Sequence, residues 1–107
     1  MNPTVAKEAR RKVANLLGID AEQVNLSTTD TSVSVNLDVR DPKVDSDKLK
    51  FALQSETGFG VTVATTNDRV ERLILQGNEA TSLIDSLAKM NPGRVQKDAG
   101  MGDVIKR

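Results

Sequence analysis

The chain contains neither cysteine nor histidine. Without thiols there is no disulfide framework, no thiolate nucleophile and no zinc–cysteine site. Without imidazole, the commonest general base and the commonest transition-metal ligand are both missing. Tryptophan and tyrosine are absent too, leaving Phe51 and Phe59 as the only aromatic residues. A sequence-tolerant platform for single-stranded nucleic acid stacks bases on rings, and here there is little to stack on. Tyr and Trp anchors for a tight interface are missing for the same reason. Any contact surface must rest on aliphatic packing, backbone pairing and charge. No apolar run reaches membrane-spanning length, and the basic N-terminal stretch is not followed by the apolar region of a signal peptide. The expectation is a soluble protein with no membrane partner. It is placed in the cytoplasm or in an intracellularly assembled particle, not secreted by a signal peptide.

The 107 residues suffice for one domain and are too few for two ordinary ones. Fifteen basic residues balance fifteen acidic ones, but unevenly along the chain. Residues 4–17 carry Lys7, Arg10, Arg11 and Lys12 against Glu8 alone. Residues 94–107 carry Arg94, Lys97, Lys106 and Arg107 against Asp98 and Asp103. The middle is therefore acidic. Basic ends on an acidic body predict attraction between copies, or toward an acidic partner. A set of solvated faces would look the same.

Two decapeptides nearly repeat each other. Residues 24–33 read VNLSTTDTSV and residues 61–70 read VTVATTNDRV. Each begins a segment with the signature of a β-hairpin. Val33, Val35, Leu37 and Val39 alternate with polar residues, which marks a strand with one buried and one wet face. TTDT and TTND supply the turns. Helical periodicity occupies the rest. Val5, Ala9, Val13, Leu16 and Leu17 form a stripe over residues 4–17, with Thr4 as the expected cap and Gly18 as the stop. A second helix is expected from Ser46 to Glu56, capped by Asp45 or Ser46 and stopped by Gly58. A third, over 79–91, places Ala80, Leu83, Ile84 and Leu87 on one face, with Asn78 as cap and Asn91-Pro92-Gly93 as its end.

The expected architecture is α+β, a two-layer sandwich in the order αββαββα. Its four-stranded, mainly antiparallel sheet carries helices on one face. Residues 1–93 form the domain, and 94–107 a tail that is flexible or docked on a partner. An internal duplication of ββα units, 23–58 and 60–93, explains the repeated decapeptides. So does convergence, because Val-rich strands and Thr/Asp/Asn turns suit tight hairpins. The consecutive Leu73, Ile74 and Leu75 predict a strand covered on both faces, or a local bulge.

Residues with chemical potential are few. Ile19-Asp20-Ala21-Glu22 resembles the end of the LAGLIDADG homing-endonuclease motif, and that family shares the αββαββα order. The resemblance implies a helix end whose acidic residue holds a divalent metal at DNA. Gly18 departs from it by ending a helix where the motif continues one, and the strands carry few basic residues where that family's are strongly basic. Ile84-Asp85-Ser86-Leu87 resembles the serine motif of acyl carrier proteins, which are acidic helical bundles; here Ser86 reads as a helix serine. Asp38, Asp41, Asp45 and Asp47 cluster near a turn, but their spacing is not that of a calcium loop and no glycine sits at its centre. Asp45 and Asp47 suit a helix N-terminus. Gly58-Phe59-Gly60 precedes a strand, where a phosphate loop needs a helix N-terminus. Asn25-Leu26-Ser27 matches a glycosylation acceptor but lacks a secretory signal.

No cofactor, metal, small-molecule ligand or catalytic activity is expected. The expected function is a non-enzymatic structural or assembly module. It self-associates or docks into a larger protein complex, of the virion or secretion-apparatus kind, through a sheet edge, the basic first helix and the C-terminal tail. The residues assigned to that contact are Lys7, Arg10, Arg11, Lys12, Arg94, Lys97, Met101, Val104, Ile105, Lys106 and Arg107. The alternative uses the same basic residues for weakly specific nucleic-acid binding, dominated by counterion release. The acidic middle and zero net charge weigh against it.

Overall fold

The computed structural model describes residues 2–38, 44–67 and 69–101. Within them lie α1 (Pro3–Leu17), β1 (Val24–Thr28), β2 (Ser32–Leu37), α2 (Ser46–Thr57), β3 (Gly60–Thr66), β4 (Arg69–Gln76), α3 (Ala80–Lys89) and α4 (Pro92–Ala99). Helix α1 begins one residue before the expected start. Asn2, not Thr4, is its cap, and its Oδ1 accepts the Thr4 N–H at 2.9 Å. Pro3 at the first helical position costs nothing, because its missing N–H would have had no partner there. Gly18 ends the helix in the left-handed region, with φ of 72°. The stripe is buried at Ala9, Val13, Leu16 and Leu17, while Val5 is half-buried. Helix α2 follows the expected plan. Asp45 Oδ1 accepts the N–H groups of Asp47 and Lys48, and Gly58 closes the helix.

The four strands form one sheet in the order β1-β2-β4-β3, antiparallel throughout. The two hairpins therefore meet through their second strands. Sliding Val24 onto Val61 carries Val33 onto Val70. Beyond that point one extra residue is needed, and Val35 then falls on Leu73. Those two residues face each other across the β2–β4 seam, and both are fully buried. Exchanging the hairpins carries the pair Ser34–Ile74 onto the pair Asn36–Arg72, both of which occur. The sheet is thus two-fold symmetric in register about Val35 and Leu73.

The extra residue is a β-bulge. Ala64 pairs with Arg72, but Thr65 pairs with Val70, leaving Glu71 without an opposite. The bulge restores the core-facing phase, so that Val70, Leu73 and Leu75 are all buried. Ile74 points to the other face, half-buried between Ser34 and Thr62. The run Leu73-Ile74-Leu75 is therefore not a strand covered on both sides by the described residues. Asn25, Ser27, Thr62, Arg72 and Gln76 on that outer face are exposed. All helices lie on the opposite side. Helix α1 packs on β1, α2 on β3, and α3 over β2 and β4.

The C-terminal third departs most from expectation. Helix α3 is shorter than 79–91, and Asn78 does not cap it. Glu79 occupies the cap position without a side-chain bond; the Ala80 N–H instead donates to the carbonyl of Asp30 in the first hairpin's turn. Asn91-Pro92 does not close α3 but opens α4: Asn91 Oδ1 accepts the Arg94 N–H, and Pro92 holds the first helical position. Residues 94–99, expected in a flexible or partner-docked tail, belong to a helix with Pro92, Val95, Gln96 and Ala99 buried. Helix α4 packs on α2 and α1. Met101 also packs against the core. Phe59 covers the core edge, its ring lying over Gly77, where a Cβ would stand 2.9 Å from it. Val104, Ile105, Lys106 and Arg107, as well as Val39 and Asp41, lie outside the described residues.

Candidate association surface at the sheet edges

The basic residues of α1 were expected to meet a partner, and two of them are engaged within the chain. Lys12 reaches the end of α3, its Nζ donating to the Met90 carbonyl at 3.0 Å. A cation there satisfies a carbonyl left over at a helix C-terminus. Arg11 pairs with Glu8, one turn earlier, at 2.6 Å. Through that hydrogen bond it holds the Glu8 carboxyl below its ordinary value, and its own guanidinium is raised in return. Arg10 keeps its Nε buried with no hydrogen-bond partner among the described residues. Lys7 is exposed.

On α4, Arg94 lies 3.8 Å from Glu56 of α2, whose other oxygen accepts the Asn91 N–H. Lys97 is exposed. The most consequential residue of α4 is one that charge patterning overlooks. Gln96 is buried, and its Nε2 donates to the carbonyls of Leu16 and Asn15 at 2.9 and 3.3 Å. It closes the end of α1. The residues that the structure brings together here are therefore fastening helices to one another.

Among the acidic residues, no group of three or more carboxylates stands close enough to hold a metal within the described residues. Asp45 is a helix cap, and Asp38 Oδ1 accepts from Asn25 Nδ2 at 2.9 Å. Gly18 ends α1 before Ile19-Asp20-Ala21-Glu22, which falls in a 3-10 turn at Ala21–Gln23. Ser86 is half-buried and donates to the Leu83 carbonyl of its own helix.

The sheet edges carry unspent hydrogen-bonding capacity. In an antiparallel ladder, opposite residues alternate between exchanging both bonds and exchanging none. Asp38 N–H donates to Gln23, Thr29 N–H to Ser32, and Gly77 N–H to Thr31, which sets the phase at three points. With the observed register, β1 bonds β2 through Asn25 and Ser27, and β4 bonds β3 through Ile74 and Gln76. Val24, Leu26 and Thr28 of β1, and Val61 and Val63 of β3, then point their amides away from the sheet. The first amide of each row is satisfied locally. Val24 N–H donates to the Ala21 carbonyl, and Val61 N–H to Gln54 Oε1 at 3.2 Å. Leu26 and Val63 keep both backbone groups unpaired among the described residues. Their side chains lie on the helix side, half-buried against the core.

Neither edge strand contains a charge or a proline. Those are the usual devices that stop an edge from pairing with another chain. The surroundings differ, however. Residues 19–38 hold Asp20, Glu22, Asp30 and Asp38, all exposed, and no lysine or arginine. The second hairpin, 60–76, balances Asp68 and Glu71 with Arg69 and Arg72. No family model matches the chain, and no curated protein or solved structure matches it either.

Proposed function

We propose that this chain is a non-enzymatic assembly module that self-associates through its sheet edges. The observation that carries the reading is the matched pair of uncharged edge strands, each with an N–H and C=O at mid-strand that are unpaired among the described residues, beside a half-buried aliphatic side chain, Leu26 or Val63. An added strand would bond those groups and cover that side chain in one step. Such pairing needs no aromatic anchor, which agrees with a chain that has almost none. A component of a larger particle built from repeated copies suits this surface.

The basic helix plays a smaller part in this reading than its sequence suggests. Lys12 and Arg11 have partners inside the chain, which leaves Lys7 as an exposed cation on α1 without one among the described residues. Residues 102–107 lie outside the described structure, so the tail enters here only through Met101 and the face of α4.

The test is absolute mass in solution by light scattering, across concentration and at low and high salt. Refractive index must report concentration, because the chain has no Trp or Tyr. Backbone pairing predicts mass above one chain that high salt leaves unchanged. A single-chain mass at every concentration overturns self-association. An oligomer that dissolves in high salt points instead to charge contacts through Lys7 and its neighbours. A monomer that binds nucleic acid with steep salt dependence would replace this reading with the polyanion one.

A further inference from the structure

We infer that the partner is a second copy of this chain, joined antiparallel at β3 about a two-fold axis through Val63. This deepens the proposed self-association and rests on it. Of the two edges, β3 alone can meet its own copy without electrostatic penalty. A β1–β1 contact would bring together two hairpins that each carry Asp20, Glu22, Asp30 and Asp38 with no compensating cation. Like charges so placed oppose pairing. Strand β3 carries no charge from Gly60 to Thr66, and its hairpin is balanced. It is also longer, spanning Gly60–Thr66 against Val24–Thr28.

The phase of the amides selects the axis. Val63 points both its N–H and its C=O outward, so two copies related by a two-fold axis at Val63 form a hydrogen-bonded pair with each other. Each Val63 N–H donates to the other copy's Val63 carbonyl. The free Val61 carbonyl then faces the region of Thr65 in the second copy. Gln54 keeps the Val61 N–H, so the seam is centred on Val63 and not on Val61. On the helix side, the two half-buried Val63 side chains stand opposite each other and complete the burial that one copy leaves unfinished. On the outer face, Thr62 meets Ala64. The product is a closed dimer with one continuous eight-stranded sheet, its carboxylate-flanked β1 strands outermost. A β1-on-β3 contact would not close and would grow into chains.

Proline substitution tests this directly. It removes an amide proton, and at Val63 that proton is not used by β4, so the monomer's ladder keeps all its bonds. Leu26→Pro is the matched control on β1. The expected result is a two-chain mass for the unaltered protein and for Leu26→Pro. Val63→Pro, with an unchanged far-ultraviolet spectrum, should dissociate with a Kd higher by roughly thirtyfold, from the loss of two reciprocal hydrogen bonds. If Val63→Pro fails to fold, Thr62→Lys decides. It adds an ammonium group on each side of the seam at an exposed position, and should weaken the dimer in a way that salt relieves. A dimer lost in Leu26→Pro but kept in Val63→Pro or Thr62→Lys overturns the β3 seam. Mass that grows with concentration without a plateau also overturns it, while leaving edge association standing. A single-chain mass throughout overturns both.

Discussion

The first half of the molecule, α1-β1-β2, and the second, α2-β3-β4, solve the same problem with different supports. Each places a glycine-ended helix on its own edge strand. Each turns its outward amides in the same phase and hides the first of them. In the first half a backbone carbonyl, Ala21, hides it. In the second a side chain, Gln54, does so. The first half surrounds its edge with carboxylates, and the second leaves its edge neutral. Identical local patterns thus make equivalent strands, while the residues around them set what each edge can pair with. The unit that repeats in space is helix-then-hairpin, since α1 covers β1 as α2 covers β3.

The near-symmetric centre is where the halves depend on each other most. Leu73→Ala should cost about 2–5 kcal/mol, because a fully buried leucine at the β2–β4 seam leaves a cavity that a sheet refills poorly. Val35→Ala, its counterpart, removes fewer carbon atoms and should cost less. Urea unfolding of both variants checks the pair. Equal losses would mean that the two sides of the seam are packed alike in spite of their different side chains.

The helices differ in what closes them. Gln96→Leu should cost roughly 1–3 kcal/mol, since it withdraws the donor from the Asn15 and Leu16 carbonyls while adding apolar bulk. Hydrogen exchange should show the last turn of α1 opening before that of α2. Uniform opening of both helices would mean that α4 supports the domain by packing alone.

A smaller change sharpens the contrast between the edges. Gln54→Ala frees the Val61 N–H without touching the strand ladder, and should change stability by about 1 kcal/mol. It lengthens the bondable row of β3, so self-association should tighten while a Leu26→Pro version responds identically. Weaker association after Gln54→Ala would mean that the glutamine itself contacts the partner.

Much of this arrangement was legible in the chain. Alternation in residues 33–37, the turn residues 29–31 and Asn67, and helical stripes closed by Gly18 and Gly58 determine local geometry through short-range sterics and side-chain burial, although Thr28, Thr65 and Thr66, expected in the turns, extend the strands. Helix α4 was less visible, although its signals are present. Asn91-Pro92 is a cap and a first helical residue, Gly100 is a left-handed stop with φ of 67°, and Val95 and Ala99 stand one turn apart. Two apolar residues make a thin stripe, and the same Asn-Pro-Gly letters also end helices, so composition favoured a tail.

The strands, the first three helices, the absence of thiol and imidazole chemistry, and the charge difference between the hairpins all follow from the order of residues alone. Each of these follows from residues near one another in the chain. Only the tertiary structure decided that β2 and β4 meet at the centre, leaving β1 and β3 as edges. It also decided that Lys12 fastens α3, that Gln96 closes α1, and that Leu26 and Val63 keep their amides unpaired among the described residues. Those outcomes depend on partners far apart in sequence, and on an amide phase fixed by ladder register. No local pattern encodes that register until the strands have paired.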